Sequence, residues 1–257
     1  MDASASPPDR PLRRPRSGRA GERSRSTPGA SRARPRPEFD RAYGAGLRLA
    51  GVDEVGRGAL AGPLVAGAVI LPPDLILPEL DDSKVLPPAR RLWIAREVTR
   101  RAVAWSVVMI PAAAVDAEGI QRANYRALRE AVEHLPVRPD LVLSDGWAIP
   151  GLDVPQRAVV GGDRKSPAIA AAACLAKVVR DAWMQRVGQE LFPGYGFERH
   201  VGYGTPEHWH ALRRMGPTPL HRRTFLRRYL EAGGEGVRQL ELWRAGEVAA
   251  ATEAGRG

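Results

Sequence analysis

The chain has 257 residues, 44% of them hydrophobic, which suffices for a substantial core in one or two domains, one being preferred. A formal net charge of +10 and a pI near 10.6 favour a polyanionic partner, either nucleic acid or an acidic membrane surface. One cysteine, Cys174, excludes an intramolecular disulfide and a Cys-based zinc cluster; the absence of any charge-free run of 18 apolar residues or an apolar N-terminal segment leads to the expectation of a soluble cytoplasmic protein with no membrane association.

Residues 1–41 hold eleven arginines against five acids, so more than half of the net charge lies there. Rich in Pro, Ser and Gly and poor in large apolar side chains, residues 1–45 are expected to be a disordered extension. The next stretch, Leu47 to Leu71, reads LRLAGVDEVGRGALAGPLVAGAVIL. It predicts two short apolar strands, with Asp53 and Glu54 at the end of the first. Successive strand side chains point to opposite faces, so the two acids reach one centre only if the strand ends or bulges there, a bend that Gly56 and Gly58 permit. The alternative is an ordinary turn with solvated acids.

Beyond a Pro-rich loop at Pro72–Pro78, the segment Pro87–Arg101 predicts a helix with Leu92, Ala95 and Val98 on its apolar face. Ala102–Ile110 predicts a third strand, and three strands in sequence suggest an antiparallel meander. Val115–Leu135 carries Ile120, Ala123, Leu128 and Val132 at helical intervals. Pro139–Leu143 is a short apolar run that delivers Asp145 at its C-terminal edge, and Val159-Val160 makes a further strand before Gly161-Gly162-Asp163. Ser166-Pro167 begins the longest predicted helix, whose apolar stripe runs from Ile169 to Leu191. Asp181 lies off that stripe, one turn from Lys177, and taken by itself would be an exposed ion pair. From Pro193 the glycines Gly194, Gly196, Gly202 and Gly204 separate Tyr195, Phe197 and Tyr203 in a loop. Thr205-Pro206 then starts a helix within an Arg-rich region interleaved with aromatics, suited to phosphate contacts. His208 and His210, two apart on a helix, do not share a face and make a poor zinc pair. Residues 233–257 form an Ala, Glu and Gly-rich tail with one amphipathic piece at Leu240–Trp243.

Several strings in this order resemble ribonuclease HII, the type 2 ribonuclease H family. They are Asp53-Glu54-Val55-Gly56-Arg57-Gly58 after Gly51-Val52, Asp82-Ser83-Lys84, Ser144-Asp145-Gly146, Ala176-Lys177-Val178-Val179-Arg180-Asp181, His200-Val201-Gly202-Tyr203 and His221-Arg222-Arg223-Thr224-Phe225. The resemblance covers roughly Leu47 to Tyr229. It implies an α/β fold, a ribonuclease H-like mixed sheet flanked by helices. The expected divisions are the extension 1–45, a catalytic domain 46–196, a helical substrate-binding region 197–232 and a flexible tail 233–257.

The resemblance also implies four catalytic, metal-binding carboxylates: Asp53, Glu54, Asp145 and Asp181. Hard Mn2+ or Mg2+ suits such donors, and a pair of these ions can clamp the attacking and leaving oxygens of a phosphodiester. The implied reaction cuts RNA in RNA–DNA hybrids and beside single ribonucleotides in duplex DNA, leaving a 3′-hydroxyl and a 5′-phosphate, with the enzyme expected to act as a monomer. Gly56, Arg57 and Gly58 are expected to read the 2′-hydroxyl, Tyr203 to pack on the sugar at the RNA-to-DNA junction, and Lys84, Lys165 and Arg57 to contact phosphates. The sequence departs from the family pattern at Val85 and Val201, where Lys is common, and at Thr224, usually Ser, which affects expected backbone affinity rather than the acids.

Overall fold

The computed structural model describes residues 35–231 except residues 79, 82, 84 and 85. Five strands form one sheet: β1 Leu49–Val55, β2 Leu64–Ile70, β3 Ala104–Ile110, β4 Leu141–Asp145 and β5 Gln156–Val159, in the order β3-β2-β1-β4-β5. The first three form the expected antiparallel meander; β4 and β5 add in parallel on the other side of β1. The fold is therefore α/β with a mixed sheet.

Alternation along β1 sorts the helices. Ala50 and Val52, with Leu64, Ala66, Ala68 and Ile70 of β2, pack against a helix that the sequence suggested as one piece over 115–135. It is instead two, α3 Ala112–Glu118 and α4 Ile120–Glu133, because Gly119 between them turns to φ +81°. The opposite sheet face meets α2 Pro88–Arg101 and α5 Pro167–Trp183, through Val69, Ile94, Val98 and the alanines 170–172. On α2 the buried positions are Ile94, Ala95 and Val98; Leu92, expected on the apolar face, is exposed. Closeness of α5 to the sheet has a simple cause. A Cβ at Gly51 would lie 2.1 Å from the Ala168 carbonyl carbon, and one at Gly67 2.7 Å from the Ala172 oxygen, so only the bare backbone of β1 and β2 admits the helix at this distance.

Two further expectations are corrected. The helix does not continue regularly to Leu191: after Trp183 it widens into a π turn at Met184–Gly188 before the short α6, Gln189–Leu191. The extension is not unstructured as far as residue 45, because α1, Pro37–Arg41, docks at the start of α5, where Asp40 Oδ2 accepts from the Ala168 N–H at 3.0 Å. α7 Phe197–His200, α8 Pro206–Met215 and α9 Arg227–Glu231 share one core with Ala61 and Met184. Residues 1–34 and the tail with Leu240–Trp243 lie outside the described residues.

Candidate active site

Asp53 and Glu54 are the last residues of β1 before Val55 closes it, paired with Gly67 and Ala66 of β2, so the strand ends at the two acids without a bulge and their side chains leave its end on opposite faces. Asp53 follows Gly51 onto the α5 side. Register brings Leu141, Leu143 and hence Asp145 of β4 to the same side, at the C-terminal ends of two adjacent parallel strands. This is where open α/β sheets gather functional groups. Glu54 turns towards α4, where the Asn124 side chain hydrogen-bonds to it. Asn124 is itself buried, with no partner for its Oδ1.

Asp53 is only 7% exposed, and its Oδ1 accepts from the Glu54 N–H at 2.7 Å. Burial first, then the charges of Glu54, Asp145 and Asp163, hold its carboxyl well above the usual range. Glu54 is raised as well, chiefly by burial and further by Asp145, with Arg57 and Asn124 working in the other direction. Asp145 Oδ1 accepts from the Gly162 N–H at 2.6 Å, which ties β4 to the turn that carries Asp163. Asp163 is buried and was not among the expected site residues, although the sequence offered a signal: an acid on the Gly-Gly turn between a strand and the longest helix.

Asp181 stands apart from this group. Its Oδ1 accepts from Lys177 Nζ at 2.8 Å, and its Oδ2 lies 3.8 Å from the Arg91 guanidinium on α2. Lys165 donates to the Val160 carbonyl at 2.8 Å. Lys84 lies outside the described residues.

The loop after β1 is held from beneath. Gly56 takes φ +88°, and a Cβ there would sit 2.1 Å from Arg180 Nε, while Gly58 is exposed with open space around it. Arg57 donates to Gln121 at 2.6 Å and stands 3.8 Å from Glu54. Two fully buried arginines, present in the family strings but given no role there, fix the backbone. Arg180 donates to the carbonyls of Ala61, Pro63 and Val201 at 2.9–3.0 Å; Arg222 donates to those of Gly62 and Arg57 at 3.0–3.2 Å. Tyr203 is half-buried, its ring 5.1 Å from the Arg180 guanidinium and 5.4 Å from the Lys177 ammonium. Arg180 thus links the Gly56–Pro63 loop to the Tyr203 loop.

The donor set suits a hard divalent cation. Carboxylate oxygens crowd a buried place, and their mutual repulsion is what positive charge would relieve. Among the described residues no three such side chains already form a ligand cage.

A family model of ribonuclease HII matches residues 50–229. The Ribonuclease HII of Geobacillus kaustophilus is 48% identical over 184 residues, 71% of this chain and 70% of the relative. The structure of ribonuclease H2 from Pyrococcus horikoshii matches with a TM-score of 0.61 at 24% identity, over 72% of this chain and 97% of that one. That of Bst-RNase HIII in complex with Mn2+ matches with a TM-score of 0.50 at 18% identity, over 65% of this chain and 61% of that one; both structures speak to the fold. A match across the sheet, the acid cluster and the C-terminal helices places the chain in the ribonuclease HII family, whose members are divalent-metal-dependent endoribonucleases that act on RNA–DNA hybrids.

Proposed function

We propose that the protein incises beside single ribonucleotides in duplex DNA as well as within RNA–DNA hybrids, by hydrolysis that uses two Mn2+ or Mg2+ ions. The observation that carries this reading is the buried Asp53 carboxylate, crowded by Glu54, Asp145 and Asp163. Bound there, two divalent cations would activate a water and offset the charge that builds at phosphorus. Asp53, Glu54 and Asp145 would hold them. Asp163 is the fourth acid within reach of Asp53, whereas Asp181, the fourth acid implied by resemblance, steadies Lys177. The water oxygen bonds to phosphorus and the bond to the 3′ oxygen breaks, giving 3′-hydroxyl and 5′-phosphate ends. The Mn2+ in the type III relative supports the choice of ion class.

The chain's own groups supply recognition. The exposed backbone at Gly58, next to the immobilised Gly56, offers polar groups at close range to a 2′-hydroxyl, the group that separates RNA from DNA. Arg57, Lys165 and Lys84 contact phosphates. Tyr203, backed by two cations, packs on the sugar at the junction. The test is cleavage of an end-labelled duplex that contains one ribonucleotide, with and without Mn2+ or Mg2+. Divalent-dependent incision with the stated ends is expected, with loss of turnover in Asp53→Asn and Asp163→Asn. Cutting in chelator, or wild-type turnover by Asp53→Asn, would sink the assignment.

A further inference from the structure

His200, His208 and His221 form a stack in the core beneath the Tyr203 loop, each less than a tenth exposed. The His200 and His208 rings lie 4.4 Å apart at 15°, and His221 leans on His208 at 5.1 Å. Their hydrogen bonds leave no freedom of tautomer. The Thr218 N–H donates to His221 Nδ1 at 2.9 Å, so in the neutral ring the proton of His221 is on Nε2. That Nε2 faces His208 Nε2 at 2.9 Å, which must then accept, leaving the proton of His208 on Nδ1. His208 Nδ1 lies 2.9 Å from the Tyr203 carbonyl, which can only accept. Starting instead from that carbonyl and working back gives the same three protons.

We propose that His221 and His208 form a neutral, one-directional hydrogen-bond relay from the Thr218 N–H to the Tyr203 carbonyl, and that both are positioning residues for the Tyr203 ring at the RNA–DNA junction. The proposal rests on the junction role of Tyr203 given above and adds what holds it.

The Tyr203 carbonyl accepts from His208 and from the Thr205 N–H at 2.8 Å, while its own N–H donates to the His200 carbonyl at 3.0 Å. His200 repeats the logic one residue earlier: its Nδ1 accepts from the Gly202 N–H at 3.2 Å, which leaves Nε2 to donate to the Tyr195 carbonyl at 2.8 Å. Both backbone polar groups of Tyr203 are thus engaged from the protein side, and its ring is left to meet substrate. A second proton on His208 would set N–H against N–H at His221, and one on His221 would set it against Thr218. Burial acts in the same sense, lowering His208 to about 4 and His221 to about 3. His210, the fourth histidine of the region, is exposed on α8 and takes no part in the relay.

The first readout uses the unaltered enzyme. Nitrogen-15 NMR of the imidazoles at pH 7 should show His208 as the Nδ1–H tautomer and His221 as the Nε2–H tautomer, both neutral. Either ring charged, or His208 protonated on Nε2, would overturn the relay. The second readout is kcat/KM on two substrates, a duplex with one ribonucleotide and a continuous RNA–DNA hybrid. His208→Leu should lose roughly tenfold on the first and much less on the second, because a Tyr203 carbonyl held by Thr205 alone, above a His221 Nε2–H left without an acceptor, shifts the ring without touching the acids. His208→Asn, whose amide can donate from near the Nδ1 position, should recover most of the loss. Equal loss on both substrates, or no recovery by Asn in a folded variant, would overturn the positioning role. Tyr203→Ala run alongside locates a failure: if it shows the selective loss and His208→Leu does not, the relay falls and the role of Tyr203 stands; if neither shows it, both fall.

Discussion

Asp40 offers a measurable test of how the end of the N-terminal extension is bound. It docks on the start of α5, where its Oδ2 accepts from Ala168, Ser166 adds a side-chain hydrogen bond, and its Oδ1 is buried without a hydrogen-bond partner. Burial, outweighing those two bonds, pushes its carboxyl from 3.8 up to about 6. Because the folded value is raised, the contribution to stability is complete below about pH 4 and is lost as pH rises through about 6. A shift of about two units corresponds to about 3 kcal/mol, an upper bound because α1 can undock without the sheet unfolding. Asp40→Asn keeps an acceptor for Ala168 and carries no charge to desolvate. Its advantage over the parent should therefore be small or negative at pH 4 and grow towards pH 7.5, by as much as about 6–12 °C in Tm for a protein of this size. Thermal unfolding of both proteins at pH 4, 5, 6 and 7.5, plotted as a difference, isolates this residue from the other carboxylates. A difference that is flat with pH would refute the buried docking of Asp40.

Other outcomes follow from the same structure. Asp53→Asn, which removes one of the crowded charges, should raise the Tm of the metal-free protein while abolishing the further rise on adding Mn2+; calorimetry with and without the ion reads both. Gly51→Ala would force a Cβ to 2.1 Å from the Ala168 carbonyl carbon and should destabilise by roughly 1–3 kcal/mol or more in urea unfolding; an unchanged midpoint would mean that α5 sits further from the sheet. Tyr203→Ala should keep most of its thermal stability and metal binding, yet lose far more incision at single ribonucleotides than on continuous hybrid. A large fall in melting temperature with equal losses on both substrates would assign the ring to the core.

Legibility in the sequence followed the range of the interactions concerned. The meander, the buried strand that delivers Asp145 and the start of α5 at Ser166-Pro167 are local matters of apolar runs and caps, and they could be read directly. The break at Gly119 and the π turn after Trp183 interrupt apolar stripes that stay in phase, so periodicity carried no sign of either. At the site, the adjacency of Asp53 and Glu54 calls for a strand end or a bulge, because two acids on opposite faces in mid-strand do not serve one centre. The structure takes the strand end: β1 closes at Val55, Asp145 lies on the α5 side with Asp53 and Asn124 on the α4 side with Glu54, and the charges of Asp53, Glu54 and Asp145 still act on one another. Motif order is one-dimensional and points to Asp181, whereas the register of β4 and the turn at Gly162 bring the charge of Asp163 to bear on Asp53. Arg180 and Arg222 stand in two of the family strings, but their structural role is not legible there for a related reason. A buried arginine that bonds only to carbonyls has no partner that side-chain identity could reveal.

Those two arginines also bear on how the molecule could be taken apart and recombined. Their guanidinium groups join residues 57–63 to Val201 and Arg222, and Ala61 and Met184 belong to the same apolar cluster as Phe197, Leu212 and Leu226. A break at residues 196–197 therefore runs through a core rather than along a seam. Two fragments divided there would each expose half of that core, and would regain activity by reassembling with one another rather than by folding as independent modules. For a chimera between relatives, the exchangeable block is likewise discontinuous: a C-terminal region transplanted from another member must bring its own segment corresponding to 57–63, since the arginine forks and the carbonyls they grip are two halves of a single fitted surface.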